Sequence, residues 1–359
     1  MEVEEAKRAV LEGARRLVAS ALVARTWGNI SCRVGASHFV ITPSGREYER
    51  LTEEQLVVVR LDDLGWEGSI KPSSEKGIHA AVYRERSDVN YVIHTHQEMA
   101  SLASQLGEPL PVPPLYQDLL GHTITTAAYA LPGTKALKER VGRLLSAQPH
   151  SALLMTRHGA LCFGSGLDET YAIADGLETV CTEVIHARAP LLATFKEPPV
   201  PAILAKRTET GGVESCTGEL KALSDALLDP RSPYSHILLL SSDEVITCME
   251  KVQVLSAYLD DFAQIAGPKL TVMESSDALP SLLSAAKGRD ALLIRGIGAL
   301  CMGGTHADAE AVATLLQKNC KAALLALAVP SVKPLPLLDT YLMRFVYKKK
   351  YSKLAAATK

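Results

Sequence analysis

The sequence predicts an α/β protein of two domains, the second a shortened copy of the first. Three observations carry this expectation. The 359 residues exceed what one core usually serves, at about 150 residues per domain. Segments with a helical stride alternate with short β-branched runs along most of the chain. Finally, "ALLMTRHGALCFGSG" at 152–166 returns as "ALLIRGIGALCMGGT" at 291–305, and "YVIHTHQEMASL" at 91–102 returns more faintly as "ILLLSSDEVITC" at 237–248.

Residues 4–24 place Val10, Leu11, Ala14, Leu17, Val18 and Leu22 at helical spacing. Charges run through the first turns, so the segment reads as an amphipathic helix and not as a signal peptide. "NISCRV" and "HFVIT" flank the turn "GAS" as short strands. "LVVVRLD" and "YVIH" are further strand-like runs, with the helical stride of "SSEKGIHAAVYRER" between them. "GTKALKERVGRLLSA", "SALLMTRHGALCFG" and "LDETYAIADGLETVCTEVIHARAPLLAT" then read helix, strand, helix. Pro, Gly and polar residues crowd 195–215, which places the linker there and the domains at 1–200 and 215–345.

Composition narrows the function classes. With 47% apolar residues and a formal net charge of -2, the chain has neither the basic field of a nucleic-acid binder nor an acidic tail. No run approaches about 18 uncharged apolar residues, so no membrane span is expected. Seven cysteines, scattered and without a CxxC pair, suit reduced thiols in a cytoplasm better than a disulfide scaffold or a zinc knuckle.

The candidate chemistry starts at His94 and His96. Two residues apart on a strand, their side chains project to the same side, a geometry that suits two imidazoles on one ion. It equally suits a hydrogen-bonded or solvated pair. His158 in "TRHGAL" is the best candidate for a third nitrogen. In the second copy the three positions hold Leu240, Ser242 and Ile297. The histidines are thus lost together while the apolar frame persists, which a packing role does not predict. His38, His79, His122, His150, His186, His236 and His306 fit no ligand spacing and read as surface or packed residues.

Four ordered motifs then carry a resemblance: "TWGNIS" (26–31), "ITPSGREYERLT" (41–52), "KPSSEKGIHAAVYRERSDVNYVIHTH" (71–96) and "RHGAL" (157–161). In this order and spacing the first 200 or so residues resemble the class II aldolase/adducin family. The resemblance implies a three-layer α-β-α fold with a central, mainly antiparallel sheet, repeated in shortened form by the second copy. It implies zinc or another divalent metal on His94, His96 and His158, with Glu75 as the acid/base. Thr26, Asn29, Ser44, Gly45, Ser73 and Ser74 would surround the phosphate of a small phosphorylated sugar, as glycine-containing turns let backbone amides converge on an anion. No lysine or arginine is fixed in these turns, so neutral donors and helix N-termini would supply the positive potential.

The chemistry implied is retro-aldol cleavage through a metal-stabilised enediolate. Glutamate after the paired serines matches the aldolase branch, where the epimerase branch typically has aspartate. Dehydratase and decarboxylase relatives share the glutamate, and an adducin-like scaffold is the non-catalytic alternative. Tyr116 in "PPLYQDLLG" stands about where sugar-phosphate aldolases carry a tyrosine that serves as the second proton carrier, at the oxygen of the leaving aldehyde. One metal per chain is expected, held in the first domain. Family rings of four active-site domains suggest a homo-oligomer, a pseudo-fourfold dimer in which each chain fills two positions.

Overall fold

A computed structural model describes residues 1–20, 22, 27–146, 151–208, 210–215, 218 and 220–357. Thr26 and His150, named above, and Cys216, one of the seven cysteines, lie outside the described residues. The chain divides into two units, Met1–Ala187 and Arg188–Lys359.

The first unit opens with helix α1 (Val3–Ala19), whose buried Ala6, Val10, Ala14 and Leu17 form one apolar stripe at helical spacing. The expected helix stops short of residue 24, and the Ser20 hydroxyl donates to the Arg16 carbonyl at 2.8 Å to close its last turn. Eight strands follow: β1 (Asn29–Val34), β2 (His38–Ile41), β3 (Val57–Arg60), β4 (Tyr91–Thr95), β5 (Leu110–Pro111), β6 (Thr123–Ala127), β7 (Ala152–Met155) and β8 (Gly159–Gly164). Interspersed are α2 (Lys76–Glu85), α3 (Glu98–Ala103), α4 (Gln117–Leu120), α5 (Lys135–Leu145) and α6 (Leu167–Arg188).

The strands form one sheet in the order β3-β2-β1-β4-β8-β7-β6-β5, antiparallel except for the parallel pair β6–β7. Ile78 and Val82 of α2 and Leu137 and Val141 of α5 pack on Ile41, Leu153, Leu161 and Phe163 of one sheet face. The other face carries α1, α3 and α6. There the Tyr171 hydroxyl donates to the Gly13 carbonyl at 2.6 Å, and Glu178 accepts from the amides of Met99 and Ala100. With helices on both sides, β4 is buried at every position. A sheet covered on both faces requires this.

The second unit contains β9 (Ala202–Arg207), β10 (Val213–Ser215), β11 (His236–Leu240), β12 (Val254–Ser256), β13 (Lys269–Met273), β14 (Ala291–Ile294) and β15 (Gly298–Gly303). Its helices are α7 (Lys221–Leu227), α8 (Asp243–Lys251), α9 (Asp260–Ala266), α10 (Leu279–Ala286), α11 (His306–Ala328) and α12 (Leu337–Ala357). The sheet runs β10-β9-β11-β15-β14-β13-β12. It repeats the strand order of the first, with the parallel pair β13–β14 in the same place; among the described residues β3 alone has no counterpart.

Two expectations need correction. Residues 202–215 are no linker: β9 and β10 pair antiparallel, and β9 docks on β11. Their polar, Gly-rich composition is that of an edge hairpin, which local composition does not distinguish from a linker. "SALLMTRHGALCFG" is likewise two strands, β7 and β8, joined by a tight turn at Thr156–His158. Among the described residues no helix is long and apolar enough to cross a membrane.

Candidate metal centre

β4 lies between β1 and β8, and His94 pairs across to Asn29 on one side and Leu161 on the other. Leu161 belongs to the core under α2 and α5, so His94, and His96 two residues on, face the α2 side of the sheet. His158 arrives on the β7–β8 turn, its amide donating to the Met155 carbonyl at 2.9 Å. Gly159, with φ +154°, makes this possible, because a Cβ there would collide with the Thr95 carbonyl oxygen at the end of β4. The three imidazoles meet with ring centroids 4.7 Å (His94–His96), 4.6 Å (His94–His158) and 4.9 Å (His96–His158) apart. Their ligand atoms all lie within 4.8 Å of one another.

Glu75 is the N-cap residue of α2, but its side chain does not cap the helix. It turns into the cluster instead, with Oε1 2.8 Å from His158 Nε2 and Oε2 3.2 Å from His94 Nε2. Burial opposes its ionisation, yet the pull of His94, His158 and His96 and the His158 hydrogen bond prevail and hold the carboxyl well below the usual range. Burial also pushes His94 down to about 3, leaving a neutral ring. Its Nδ1 donates to the Ala160 carbonyl at 2.8 Å, so Nε2 keeps its lone pair and points at His96 Nε2, 3.0 Å away. Three imidazole nitrogens and a carboxylate, one ring oriented by a backbone carbonyl, are a donor set that fits a divalent ion.

The three polar turns converge beside Glu75. Pro43 and Pro72 bridge the "TPSG" and "PSSE" loops, Ser73 N donates to Thr42 O, and Ser44 N donates to Lys71 O. The Glu75 amide donates to Ser73 Oγ at 3.2 Å, and Asn29 Nδ2 donates to Glu75 Oε2 at 3.1 Å. Gly45, at φ +71°, gives the "TPSG" turn its left-handed residue. A cleft of about 230 Å³ opens along Ser74, Glu75, Gly133 and Thr134 and is rimmed by Lys76, Lys135 and Lys138. The cations absent from the turns thus come from the first turns of α2 and α5, a contribution that local motifs do not reveal.

Tyr116 is not brought to the cluster within this unit. It packs beside Gly176 of α6, on the sheet face opposite α2, and among the described residues no hydrogen bond joins it to Glu75 or the histidines. His79 is packed, one of the two readings that its spacing left open: it is fully buried and bonded to Asn29 and Ser31.

Backbone strain marks the ligand turn. Arg157, immediately before His158, has φ +64°, a left-handed conformation costing a non-glycine residue about 1–2 kcal/mol. Its amide donates to Ser104 Oγ at 2.9 Å, which helps hold the turn. In the second unit Gly296 takes the same place at φ +76° without that penalty. Arg157→Gly is therefore expected to stabilise the protein by roughly 0.5–1 kcal/mol after the entropy of the unfolded glycine is deducted. Urea unfolding checks this: the midpoint should rise at unchanged slope, and a lower midpoint contradicts the strain.

A family model described as the class II aldolase and adducin N-terminal domain matches residues 8–185. The chain is 29% identical over 187 residues to the 5-deoxy-D-ribulose 1-phosphate aldolase of Bacillus thuringiensis serovar kurstaki, covering 52% of this chain and 86% of that protein. It is 31% identical over 181 residues to the L-fuculose phosphate aldolase of Escherichia coli O6:H1, covering 50% and 82%. Over 93 residues it is 39% identical to a probable L-ribulose-5-phosphate 4-epimerase of Mycoplasma pneumoniae, covering 25% and 38%. The family match spans every strand of the first sheet, the three histidines and Glu75, and stops before the second unit. The chain belongs to the class II aldolase/adducin family.

Proposed function

We propose that the protein is a lyase dependent on a divalent metal, with zinc the first candidate, that cleaves a small phosphorylated sugar by retro-aldol chemistry. The observation that carries this reading is the Glu75 carboxylate set against three clustered imidazoles, 2.8 Å from His158 and 3.2 Å from His94. A divalent cation on His94, His96 and His158 would polarise the substrate carbonyl and offset the charge that develops as the bond breaks. Ser44, Gly45, Ser73 and Ser74 receive the phosphate, with Lys76, Lys135 and Lys138 at the rim of the adjoining cleft; Asn29, expected with them, gives its amide to Glu75 and His79 instead. When the C–C bond breaks its electron pair stays on the carbon beside the carbonyl, and Glu75, having taken up a proton from solvent, delivers it there; in the reverse direction the carboxylate removes it.

The hydroxyl proton lost as the aldehyde forms needs a second carrier. Tyr116 is proposed for that role from a neighbouring copy of the chain, since within its own unit it faces the other side of the sheet. The reading includes a homo-oligomer, with a closed dimer as the simplest form, and a reducing cytoplasm as its setting. The six described free cysteines, all buried, suit that setting.

Incubation of the metal-loaded protein with a panel of sugar phosphates, with detection of dihydroxyacetone phosphate, tests the reading. Inversion at a carbinol carbon without cleavage would favour epimerase chemistry on the same residues, the second reading that the Mycoplasma relative supports. One metal equivalent per chain is expected, because Leu240, Ser242 and Ile297 stand at the ligand positions of the second frame. Two equivalents would refute that count, and no bound metal at all would favour a scaffold.

A further inference from the structure

Behind Glu75 runs a buried file of polar side chains that the chemistry above leaves unused. Glu75, His79 and Tyr83 are spaced four apart at the start of α2 and share one face. Asn29 and Ser31, two apart on β1, share the sheet face turned toward them. Asn29 Nδ2 donates to Glu75 Oε2 at 3.1 Å, and Asn29 Oδ1 pairs with His79 Nε2. His79 Nδ1 pairs with Ser31 Oγ at 2.7 Å, and Ser31 Oγ pairs with the Tyr83 hydroxyl at 2.7 Å. Tyr83 also reaches the Asn90 carbonyl at 3.3 Å. Asn29 is 3% exposed, Ser31 and His79 are 0%, and Tyr83 is 2%. A mismatched donor or acceptor here would cost its full desolvation penalty.

The protons of this file have one consistent arrangement. A carboxylate only accepts, so Asn29 presents its NH2 to Glu75 and its oxygen to His79. An amide oxygen also only accepts, so His79 Nε2 carries the proton. Burial keeps the ring neutral, pushing its pKa down to about 3; Nδ1 therefore accepts from Ser31, and Ser31 accepts from Tyr83. In the other tautomer a ring lone pair would face the amide oxygen. Flipping Asn29 to relieve that contact would set an oxygen against the carboxylate of Glu75.

We propose that His79 is a positioning residue: its Nε2–H fixes the amide of Asn29, and Asn29 thereby holds Glu75 Oε2 in the orientation that proton transfer requires. The inference rests on the role proposed above for Glu75.

Three substitutions separate positioning from packing. Glutamine carries an amide N–H to the place of Nε2, asparagine reaches only the place of Nδ1, and leucine offers neither. On a cleaved sugar phosphate, His79→Asn and His79→Leu are expected to lower kcat about 10–100-fold, the range for outer partners of a metal site, with KM held within about threefold. Metal content is expected to stay at the wild-type level, and His79→Gln to recover most of kcat. On an Asn29→Ala background the His79 substitutions should add nothing further. Equal losses in the glutamine and asparagine variants, or full additivity with Asn29→Ala, overturn the proposal. If the leucine variant fails to fold, the glutamine–asparagine comparison still decides. Nitrogen NMR of the wild-type imidazole reads the file without turnover. A proton on Nε2 is expected, and one on Nδ1 overturns the proposal even if no sugar phosphate is cleaved, so its failure and that of the lyase reading are told apart.

Discussion

The His94→Ala/His96→Ala variant is expected to bind no divalent metal and to cleave no sugar phosphate. Two of three nitrogen donors are gone, and His158 with Glu75 falls short of the four ligands zinc takes. The change also reaches the fold. His94 lies within β4, fully buried, and its loss removes the hydrogen bond to the Ala160 carbonyl and leaves a new cavity, together about 2–4 kcal/mol. Only His96, past the end of β4, sits where a strand end makes substitution cheap. Thermal melting with and without zinc reads both effects. Zinc at a thousandfold excess over its Kd should stabilise the wild type by about 4 kcal/mol and leave the variant unmoved. A variant that keeps one zinc equivalent in equilibrium dialysis would place the site elsewhere.

Glu75→Gln is expected to slow proton exchange at the carbon beside the substrate carbonyl by about 10²–10⁴-fold, the usual contribution of a positioned base, while the metal stays bound. Glutamine keeps the size of the side chain and one accepting oxygen. Its NH2, however, turned toward Asn29 Nδ2 sets a donor against a donor, for a stability cost of about 1–3 kcal/mol. Deuterium uptake from heavy water into the substrate, followed by mass spectrometry, measures the exchange. Wild-type exchange in the variant removes Glu75 from the mechanism, and loss of the metal along with exchange makes Glu75 a ligand and not the base.

Local order was legible in the sequence wherever one period dominated. "NISCRV" became β1 residue for residue, and the alternation that placed His94 and His96 on one side holds in β4. The internal repeat marked two equivalent stretches, but each read as one strand; the turns before Gly159 and Gly298, where a Cβ would press on a carbonyl of the neighbouring strand, were not legible in it. What escaped was long-range. The spacing Glu75–His79–Tyr83 is visible on paper, but its meaning depends on α2 lying over Asn29 and Ser31, 46 or more residues away. Lys135 and Lys138 reach the cleft from another helix, and no motif announces them. The hairpin at 202–215 was hidden for the opposite reason, because an edge pair and a linker share a composition.

Arg157 and Gly296 have a consequence for reading the chain's history. Both occupy the left-handed place in a turn between equivalent strands, but only the first turn presents a histidine to a cluster. Beside His158 the turn carries a residue that the left-handed backbone disfavours; beside Ile297 it carries glycine, which adopts that backbone without a penalty. The second frame serves as an internal control. It displays the same turn without strain, and against it the strain at Arg157 stands out as local to the turn that carries His158.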